Sequence, residues 1–113
     1  MDDNITAPEF VKIFRRADKA FLMDEDEQKQ YSALPKEITV YRGIRGRGRL
    51  EALSWTLDID KAEWFAKRWN KGGKVYSAMV KKEDVLAVFT SRNEDEIVVD
   101  FKKLRDVNLK REY

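Results

Sequence analysis

The spacing of apolar side chains divides the chain into a helical first part and a strand-rich second part. Between residues 10 and 23, apolar residues recur at intervals of three and four, which is the repeat of an amphipathic helix. The pattern predicts a helix from Thr6 to about Met23, with Thr6 as N-cap and Glu9 reaching back to it. The opposite face of this helix is basic and carries Lys12, Arg15, Arg16 and Lys19.

An acidic run, Asp24 to Glu27, either caps a second helix through Gln28 to Leu34 or forms a solvated turn, as such runs usually do. Acidic side chains favour a helix N-terminus because they complement the partial positive charge of its free backbone N–H groups. Pro35 ends the segment, since the residue before a proline avoids helical geometry. The N-terminal part is therefore expected to form one helix or two.

From residue 37 onward, apolar and polar residues alternate, which is the repeat of a β-strand. The first predicted strand runs from Glu37 to Gly43 and places Ile38, Val40 and Arg42 on one face. Arg42 stands where the pattern requires an apolar residue, so its guanidinium needs an anionic partner. Gly43 follows directly and allows another group to approach the backbone.

A short strand and a helix come next. The strand, Leu53–Leu57, carries two hydroxyl groups on one face, and a helix capped by Asp58 or Asp60 follows it to about Asn70. Lys71-Gly72-Gly73 ends this helix, because glycine adopts the left-handed conformation easily. The buried stripe of the helix is expected to consist of Ala62, Phe65, Ala66 and Trp69.

Four further strands complete the pattern, at Lys74–Lys81, Val85–Thr90, Glu94–Asp100 and Asp106–Lys110. The second of them is nearly all apolar and is therefore expected to lie in the centre of a sheet. Helices first and closely spaced strands afterwards predict an α+β fold with a mostly antiparallel split sheet or small sandwich. Residues 1–113 are expected to form one domain, with a helical part over 1–35 and a strand-rich core over 36–113.

Composition restricts the chemistry that the chain can perform. Of its 113 residues, 39% are charged, yet the net charge is only +2, so no global attraction to polyanions is implied. The chain contains neither cysteine nor histidine. Disulfides, thiol nucleophiles, histidine-based triads and zinc sites of the usual kind are therefore excluded. An enzyme of this composition must use carboxylates, arginines, hydroxyls, a lysine or oxygen-bound magnesium.

The sequence contains no sign of a membrane segment. No apolar run approaches the roughly 18 residues that a transmembrane helix needs. The acidic start, Met1-Asp2-Asp3-Asn4, lacks the basic and apolar regions of a signal peptide. We expect a cytoplasmic protein without a membrane partner.

Three consecutive acids open the predicted strand Glu94–Asp100. In an extended chain, Glu94 and Glu96 point to one face and Asp95 to the other. Two carboxylates on one face repel each other unless a cation, a substrate or a shared proton compensates. The stretch is either a solvated entrance to the strand or part of a functional site.

Three motifs in a fixed order favour the functional interpretation. They are the strand end Tyr41-Arg42-Gly43, the strand Leu53-Ser54-Trp55-Thr56 before a helix, and the late strand opening Glu94-Asp95-Glu96. This order resembles the arginine–serine–glutamate branch of the ADP-ribosyltransferase family, with its E-x-E motif, over roughly residues 37–101. The middle motif departs from the usual Ser-Thr-Ser of that branch.

The resemblance implies a mono-ADP-ribosyltransferase that binds NAD, breaks its nicotinamide–ribose bond and transfers ADP-ribose to an acceptor. It implies that Arg42 clamps the pyrophosphate, which suits a guanidinium fork, and that the Gly43 backbone holds the nicotinamide amide. Glu96 would stabilise the cationic ribose and hold one of its hydroxyls, while Ser54 would orient Glu96. The other implied roles are support of the site by Thr56, a nicotinamide wall by Phe65 or Trp55, and positioning or deprotonation of the acceptor by Glu94.

The implied acceptor is a macromolecule, in the first place a protein arginine, since a second carboxylate suits a guanidinium. A glycine-rich loop with Arg45, Arg47 and Arg49 also makes nucleic acid a possible partner through phosphate contacts. The expected setting is the cytoplasm of a bacterium or of a phage-infected host.

Two other functions remain open from the sequence. The first is an inactive protein of the same fold that binds an acidic partner through the arginine loop and the basic helix face. The second is a magnesium-dependent nuclease that uses Asp84, Asp100 and Lys102, because Asp100-Phe101-Lys102 resembles half of a restriction-type nuclease site.

Overall fold

Helices come first and an antiparallel sheet follows, as the sequence predicts for an α+β fold. The computed structural model describes residues 7–17, 23–45, 54–68, 72–90 and 96–113. Its elements are α1 (Ala7–Arg16), α2 (Glu25–Ala33), β1 (Glu37–Arg45), β2 (Ser54–Thr56), α3 (Ile59–Lys67), β3 (Gly73–Lys81), β4 (Val85–Phe89), β5 (Glu96–Val99) and β6 (Arg105–Glu112). None of the described helices has the length and apolar character needed to cross a membrane.

The six strands form one sheet in the order β4-β5-β2-β1-β3-β6, and every neighbouring pair is antiparallel. The described strands therefore make a single sheet and not the two layers of a sandwich. The β1–β3 ladder is long, from Glu37 opposite Lys81 to Arg45 opposite Gly73. Strands β1 and β2, in contrast, meet in one described pair, Tyr41 opposite Thr56. This narrow junction divides the sheet into β4-β5-β2 and β1-β3-β6.

One face of the sheet carries the main apolar core, together with side chains from α1 and from Met23 before α2. The buried residues of this core include Val11, Met23, Ile38, Val40, Trp55, Val80, Leu86, Val88, Ile97 and Val99. Ile38 and Val40 point to the core as predicted, and the exposed Thr39 lies between them. The alternation of β1 thus has the predicted period and phase.

Strand β4 lies at an edge of the sheet, so the prediction that it is central is wrong. Its apolar residues are buried because α1 and α2 pack against it. Its backbone is also satisfied by this cover. The N–H of Val88 donates to the sulfur of Met23 at 3.3 Å, and the N–H of Thr90 donates to Glu27 at 2.7 Å. A covered edge needs apolar residues as much as a central strand does, and its cover occupies part of the backbone edge.

The acidic run starts α2, which is the capping alternative and not the solvated turn, and Glu25, Asp26 and Glu27 already belong to the helix. The N–H of Glu27 donates to the Asp24 carboxylate at 2.8 Å, and the N–H of Asp24 donates back to Glu27 at 3.0 Å. This reciprocal capping box satisfies two helix-end donors. Helix α1 ends at Arg16, earlier than the predicted Met23, which lies in a bend. Thr6 and residues 18–22 lie outside the described residues.

Helix α3 packs on the other face of the sheet at unusually close range. A Cβ atom added to Gly43 would lie 1.9 Å from the carbonyl oxygen of Ala62, and one added to Gly73 would lie 1.7 Å from that of Ala66. The group that approaches the Gly43 backbone is thus α3 itself. Two alanines four residues apart and two glycines on neighbouring strands make this contact possible.

This contact sets the rotation of α3 and corrects one prediction. Ala62 and Ala66 are buried as expected, but Phe65 is 55% exposed and does not belong to the buried stripe. The helix begins at the predicted cap Asp58, whose side chain accepts from the N–H of Asp60 at 2.9 Å. Gly72 has the expected positive φ of 73°. Trp69 and Asn70 lie outside the described residues.

Candidate functional site

A cavity of about 580 Å³ lies between α3 and the sheet, beside the narrow β1–β2 junction. Six of the predicted site residues line it, namely Arg42, Gly43, Ser54, Thr56, Phe65 and Glu96. The volume is within the usual range of small-molecule sites. The structure thus brings together the three sequence motifs at one concave surface.

Strand pairing explains this convergence. Thr56 of β2 lies opposite Tyr41 of β1 and opposite Glu96 of β5. Residues that face each other across antiparallel strands share a face of the sheet, and so do alternate residues along a strand. Ser54, Thr56 and Glu96 therefore lie on the same face as Tyr41 and Gly43, which is the face that α3 covers.

The closest polar contact in the cavity joins β2 to β5. The hydroxyl of Ser54 donates to the Glu96 carboxylate, with an oxygen–oxygen distance of 2.5 Å. A hydrogen bond from a hydroxyl to a carboxylate is short and strong because the acceptor is charged. Both residues are half-buried, so Glu96 is held in one orientation while it remains at the cavity surface.

Arg42 joins the same group from β1. Its Nη1 donates to the backbone carbonyl of Ser54 at 2.7 Å. Burial lowers the pKa of the Arg42 guanidinium below its ordinary value, although an arginine stays protonated in proteins. The result is a partly dehydrated positive charge on the cavity wall. Ser54 links Arg42 to Glu96, because its carbonyl accepts from one and its hydroxyl donates to the other.

Three other predicted site residues line the cavity and also have structural duties. The hydroxyl of Thr56 accepts from the N–H of Asp58 at 3.1 Å and so helps to start α3. Gly43 makes room for the α3 backbone. Phe65 lines the cavity and is 55% exposed. Trp55, the alternative wall, also lines the cavity, but it is only 2% exposed and belongs to the apolar core.

Some predicted site residues lie outside the described residues. These are Glu94 with its neighbour Asp95, and the loop residues Arg47 and Arg49. The backbone of Arg45 ends β1, but its side chain is not described. The predicted acceptor contact and the predicted phosphate loop therefore stay predictions.

The carboxylates of the nuclease hypothesis do meet, but an arginine lies between them. Nη2 of Arg15 donates to Asp84 at 3.3 Å and to Asp100 at 2.9 Å. These contacts, foremost the hydrogen bond to Asp100, raise the pKa of Arg15. Lys102 is exposed, and only its backbone N–H is bonded to Asp100. The described residues contain no group of three or more acidic side chains that could hold a metal ion.

The sequence-based interpretation missed three residues on or at the end of α3, two of which line the cavity. Lys61 and Trp64 line the cavity beside Phe65, and the Arg68 guanidinium lies 5.3 Å from the centre of the Trp64 ring. Together with Phe65 these residues are spaced by three, four and seven positions. That spacing was available as a signal, but it describes a helix face without saying whether the face is buried or exposed.

The geometry of the cavity is the basis for a functional conclusion, because the comparisons with known proteins found no match. No protein-family model matches the chain, and comparison with curated proteins and with solved structures found no match.

Proposed function

We propose that the protein is an NAD-dependent mono-ADP-ribosyltransferase with a fold of the arginine–serine–glutamate type. The observation that carries the proposal is the hydrogen-bonded series Arg42, Ser54 and Glu96 on the wall of one cavity. The series joins an arginine to a carboxylate through one serine, and the three residues come from the three different strands β1, β2 and β5.

Arg42 binds the pyrophosphate of NAD. Its guanidinium is half-buried on the cavity wall, and burial lowers its pKa. An anionic ligand at this wall forms a charge-assisted hydrogen bond with it, and a guanidinium fork suits phosphate oxygens. The nicotinamide–ribose half of NAD then occupies the cavity between the sheet and α3, with the Phe65 ring beside the nicotinamide.

Glu96 acts on the ribose. The bond between C1′ of the ribose and the nicotinamide nitrogen breaks, and neutral nicotinamide leaves with the bonding electron pair. The positive charge that develops on the ribose is stabilised by the Glu96 carboxylate, as in glycoside cleavage. The acceptor attacks C1′ and loses one proton. Ser54 holds the carboxylate in place beforehand, so little reorganisation is needed during the reaction.

The proposal predicts NAD-dependent transfer that requires Glu96. Lysate incubated with the protein and with adenine-labelled NAD should acquire labelled ADP-ribose, detected by mass spectrometry, and should release nicotinamide. Glu96→Gln, which keeps the shape and a hydrogen-bond acceptor but removes the charge, should lower the rate of release by about 100-fold or more. Full activity of this variant would show that the assignment of Glu96 is wrong.

Thermal melting separates binding from turnover. NAD should raise the melting temperature of the wild type and of Glu96→Gln, because a ligand that binds only the folded state stabilises it. Arg42→Ala should lose the shift, whereas Arg105→Ala, at an exposed arginine of β6, should keep it. The absence of a shift at millimolar NAD would refute the proposal. A shift without any nicotinamide release would favour the inactive binding protein.

A further inference from the structure

One face of helix α3 carries four large side chains, of which the proposed reaction assigns a role only to Phe65. Lys61, Trp64, Phe65 and Arg68, which we call the aromatic–basic stripe, follow the i, i+3, i+4, i+7 spacing of one helix face. In most helices of a folded protein such a stripe is apolar and buried. Here Ala62 and Ala66 make the contact with the sheet, and the stripe lies beside that contact, where Lys61, Trp64 and Phe65 line the cavity while both aromatic rings remain largely exposed.

The two aromatic rings of the stripe are exposed, and they contact each other and Arg68. Trp64 is 60% exposed and Phe65 is 55% exposed. Their ring centres lie 5.4 Å apart with an interplanar angle of 88°, an edge-to-face arrangement. The Arg68 guanidinium lies 5.3 Å from the centre of the Trp64 ring, within cation–π distance. Neighbouring side chains thus limit the motion of a large apolar surface that faces solvent.

The stripe is continuous with the candidate active site. Lys61, Trp64 and Phe65 line the cavity, and Arg68 extends the same helix face beyond it. The stripe contains two cations and no carboxylate. Glu63 lies on a different side of α3, where it contacts Arg111, Lys67 and Tyr113. A ligand on the stripe would meet positive charge and flat aromatic surface, and one end of it would reach the cavity.

We infer that the aromatic–basic stripe binds single-stranded nucleic acid and presents one of its bases at the cavity mouth. Unpaired bases stack on Trp64 and Phe65, while Lys61 and Arg68 attract the phosphates between them. An acidic protein segment would match the cations, but its carboxylates would not stack on the two exposed rings. A duplex would match the cations but hides the faces of its bases.

The role of this strand as acceptor rests on the function proposed above. A base at the cavity mouth is beside the site where C1′ of the NAD ribose becomes electrophilic. A nitrogen or oxygen of the base would form the new bond to C1′ as nicotinamide leaves, and the proton of that atom would pass to water. Binding itself does not depend on this step and can be measured without NAD.

Fluorescence anisotropy with a labelled oligothymidylate, without NAD, tests the binding. Trp64→Ala should weaken binding about tenfold, since alanine substitution removes one base-stacking platform. Trp64→Phe should retain most of the affinity. Arg68→Ala should weaken binding and reduce the slope of log K against log salt by about one. A duplex of the same length should bind more weakly than the single strand.

Tryptophan emission provides a second readout that a purely electrostatic contact would not change. The oligonucleotide should quench the emission of the wild type, and Trp64→Phe should lose most of this quenching although it still binds. Of the other two tryptophans, Trp55 is 2% exposed and shielded from a ligand, and Trp69→Phe should keep the quenching. An unchanged melting temperature of Trp64→Ala should accompany its weaker binding, because the side chain lies at the surface.

Arg16→Ala, at an exposed arginine of α1, is the matched control and should bind as the wild type does. Equal losses in Arg16→Ala and Arg68→Ala, or full affinity in Trp64→Ala, would overturn the inference. So would label on a protein without any oligonucleotide binding, a result that leaves the transferase proposal intact. Conversely, oligonucleotide binding that depends on Trp64, in a protein that NAD does not stabilise, would refute the transferase alone.

Discussion

The protein contains two clusters in which an arginine from one element meets the ends of distant strands, and they differ in what the arginine contacts. In the first cluster, Arg15 of α1 lies between Asp84 and Asp100, which are only 9% and 8% exposed. In the second, Arg42 donates to a neutral carbonyl on the wall of a cavity, and the carboxylate of Glu96 accepts from a serine.

The pKa shifts of the two arginines have opposite directions for this reason. Hydrogen bonds and charge attraction from Asp100 and Asp84 raise the pKa of Arg15, whereas burial lowers the pKa of Arg42. Arg15 lies between two nearly buried carboxylates and holds α1 against them, whereas Arg42 lies on the wall of a cavity that an anionic ligand can reach. We therefore interpret the first cluster as structural and the second as functional.

Removal of Arg15 should produce the largest loss of stability. Arg15→Met leaves two nearly buried carboxylates close together without their cation, and the folded state should lose about 2 kcal/mol, less than for a fully buried pair because Arg15 is partly exposed. Urea denaturation measures the loss. Arg16→Met, at the neighbouring exposed position, should change stability by less than about 0.5 kcal/mol.

The same variant tests the nuclease hypothesis. NAD should still raise the melting temperature of Arg15→Met, because the second cluster is untouched. If magnesium instead stabilised this variant and DNA were cleaved, Asp84 and Asp100 would be metal ligands that Arg15 masks. That outcome would reverse the contrast between the two clusters.

Removal of the Ser54 hydroxyl should affect activity more than stability. Ser54→Ala deletes the hydrogen bond that orients Glu96, and the kcat for nicotinamide release should fall about tenfold to 100-fold, while stability falls by about 1 kcal/mol. The KM for NAD should change little, since Arg42 keeps its charge. Thr39→Ala, at an exposed hydroxyl of the same sheet, should leave kcat unchanged. An equal kcat in both variants would show that the serine does not position Glu96.

The second cluster could be predicted in part because its members lie in motifs with a regular strand period. The resemblance carried by the order of the Arg42, Ser54 and Glu96 motifs predicted that they would meet. Antiparallel pairing places Ser54 and Glu96 on one face of the sheet, and Arg42 reaches them through its hydrogen bond to the Ser54 carbonyl. The cluster of Arg15 with two aspartates was not predicted as an ion pair. Nothing in the local pattern of α1 indicates which loop its basic face will contact.

The errors in the fold have a common physical origin. Periodicity reports which residues are covered, but it does not report what covers them. The apolar strand β4 is buried by α1 and α2 at an edge of the sheet, although the same pattern is typical of a central strand. Phe65 fits the helical spacing of Ala62 and Ala66, but the contact of these two alanines with Gly43 and Gly73 leaves Phe65 largely exposed.

The exposed ion pairs of Glu63 form a third charged group, and removal of its charge should show the smallest effect on stability. Glu63 of α3 accepts from the Tyr113 hydroxyl at 2.5 Å and pairs with Lys67 and Arg111, but these partners are exposed. The hydrogen bond from Tyr113, more than the two cations, lowers the pKa of Glu63. Its ionised form thus favours the folded state, so its contribution is present above the unfolded pKa of about 4.3 and is lost as pH falls through the lower folded pKa.

Glu63→Gln should therefore melt slightly below the wild type at neutral pH, and the two melting temperatures should converge as the pH falls below the unfolded pKa of about 4.3. Glu83→Gln, at an exposed acid in the turn after β3, is the matched control and should follow the wild type more closely across this range. A difference that stayed constant with pH would mean that shape, and not charge, matters at Glu63. A small, pH-dependent difference would show that matched charges stabilise this fold in proportion to their burial, which is the reason that Arg15 should matter more.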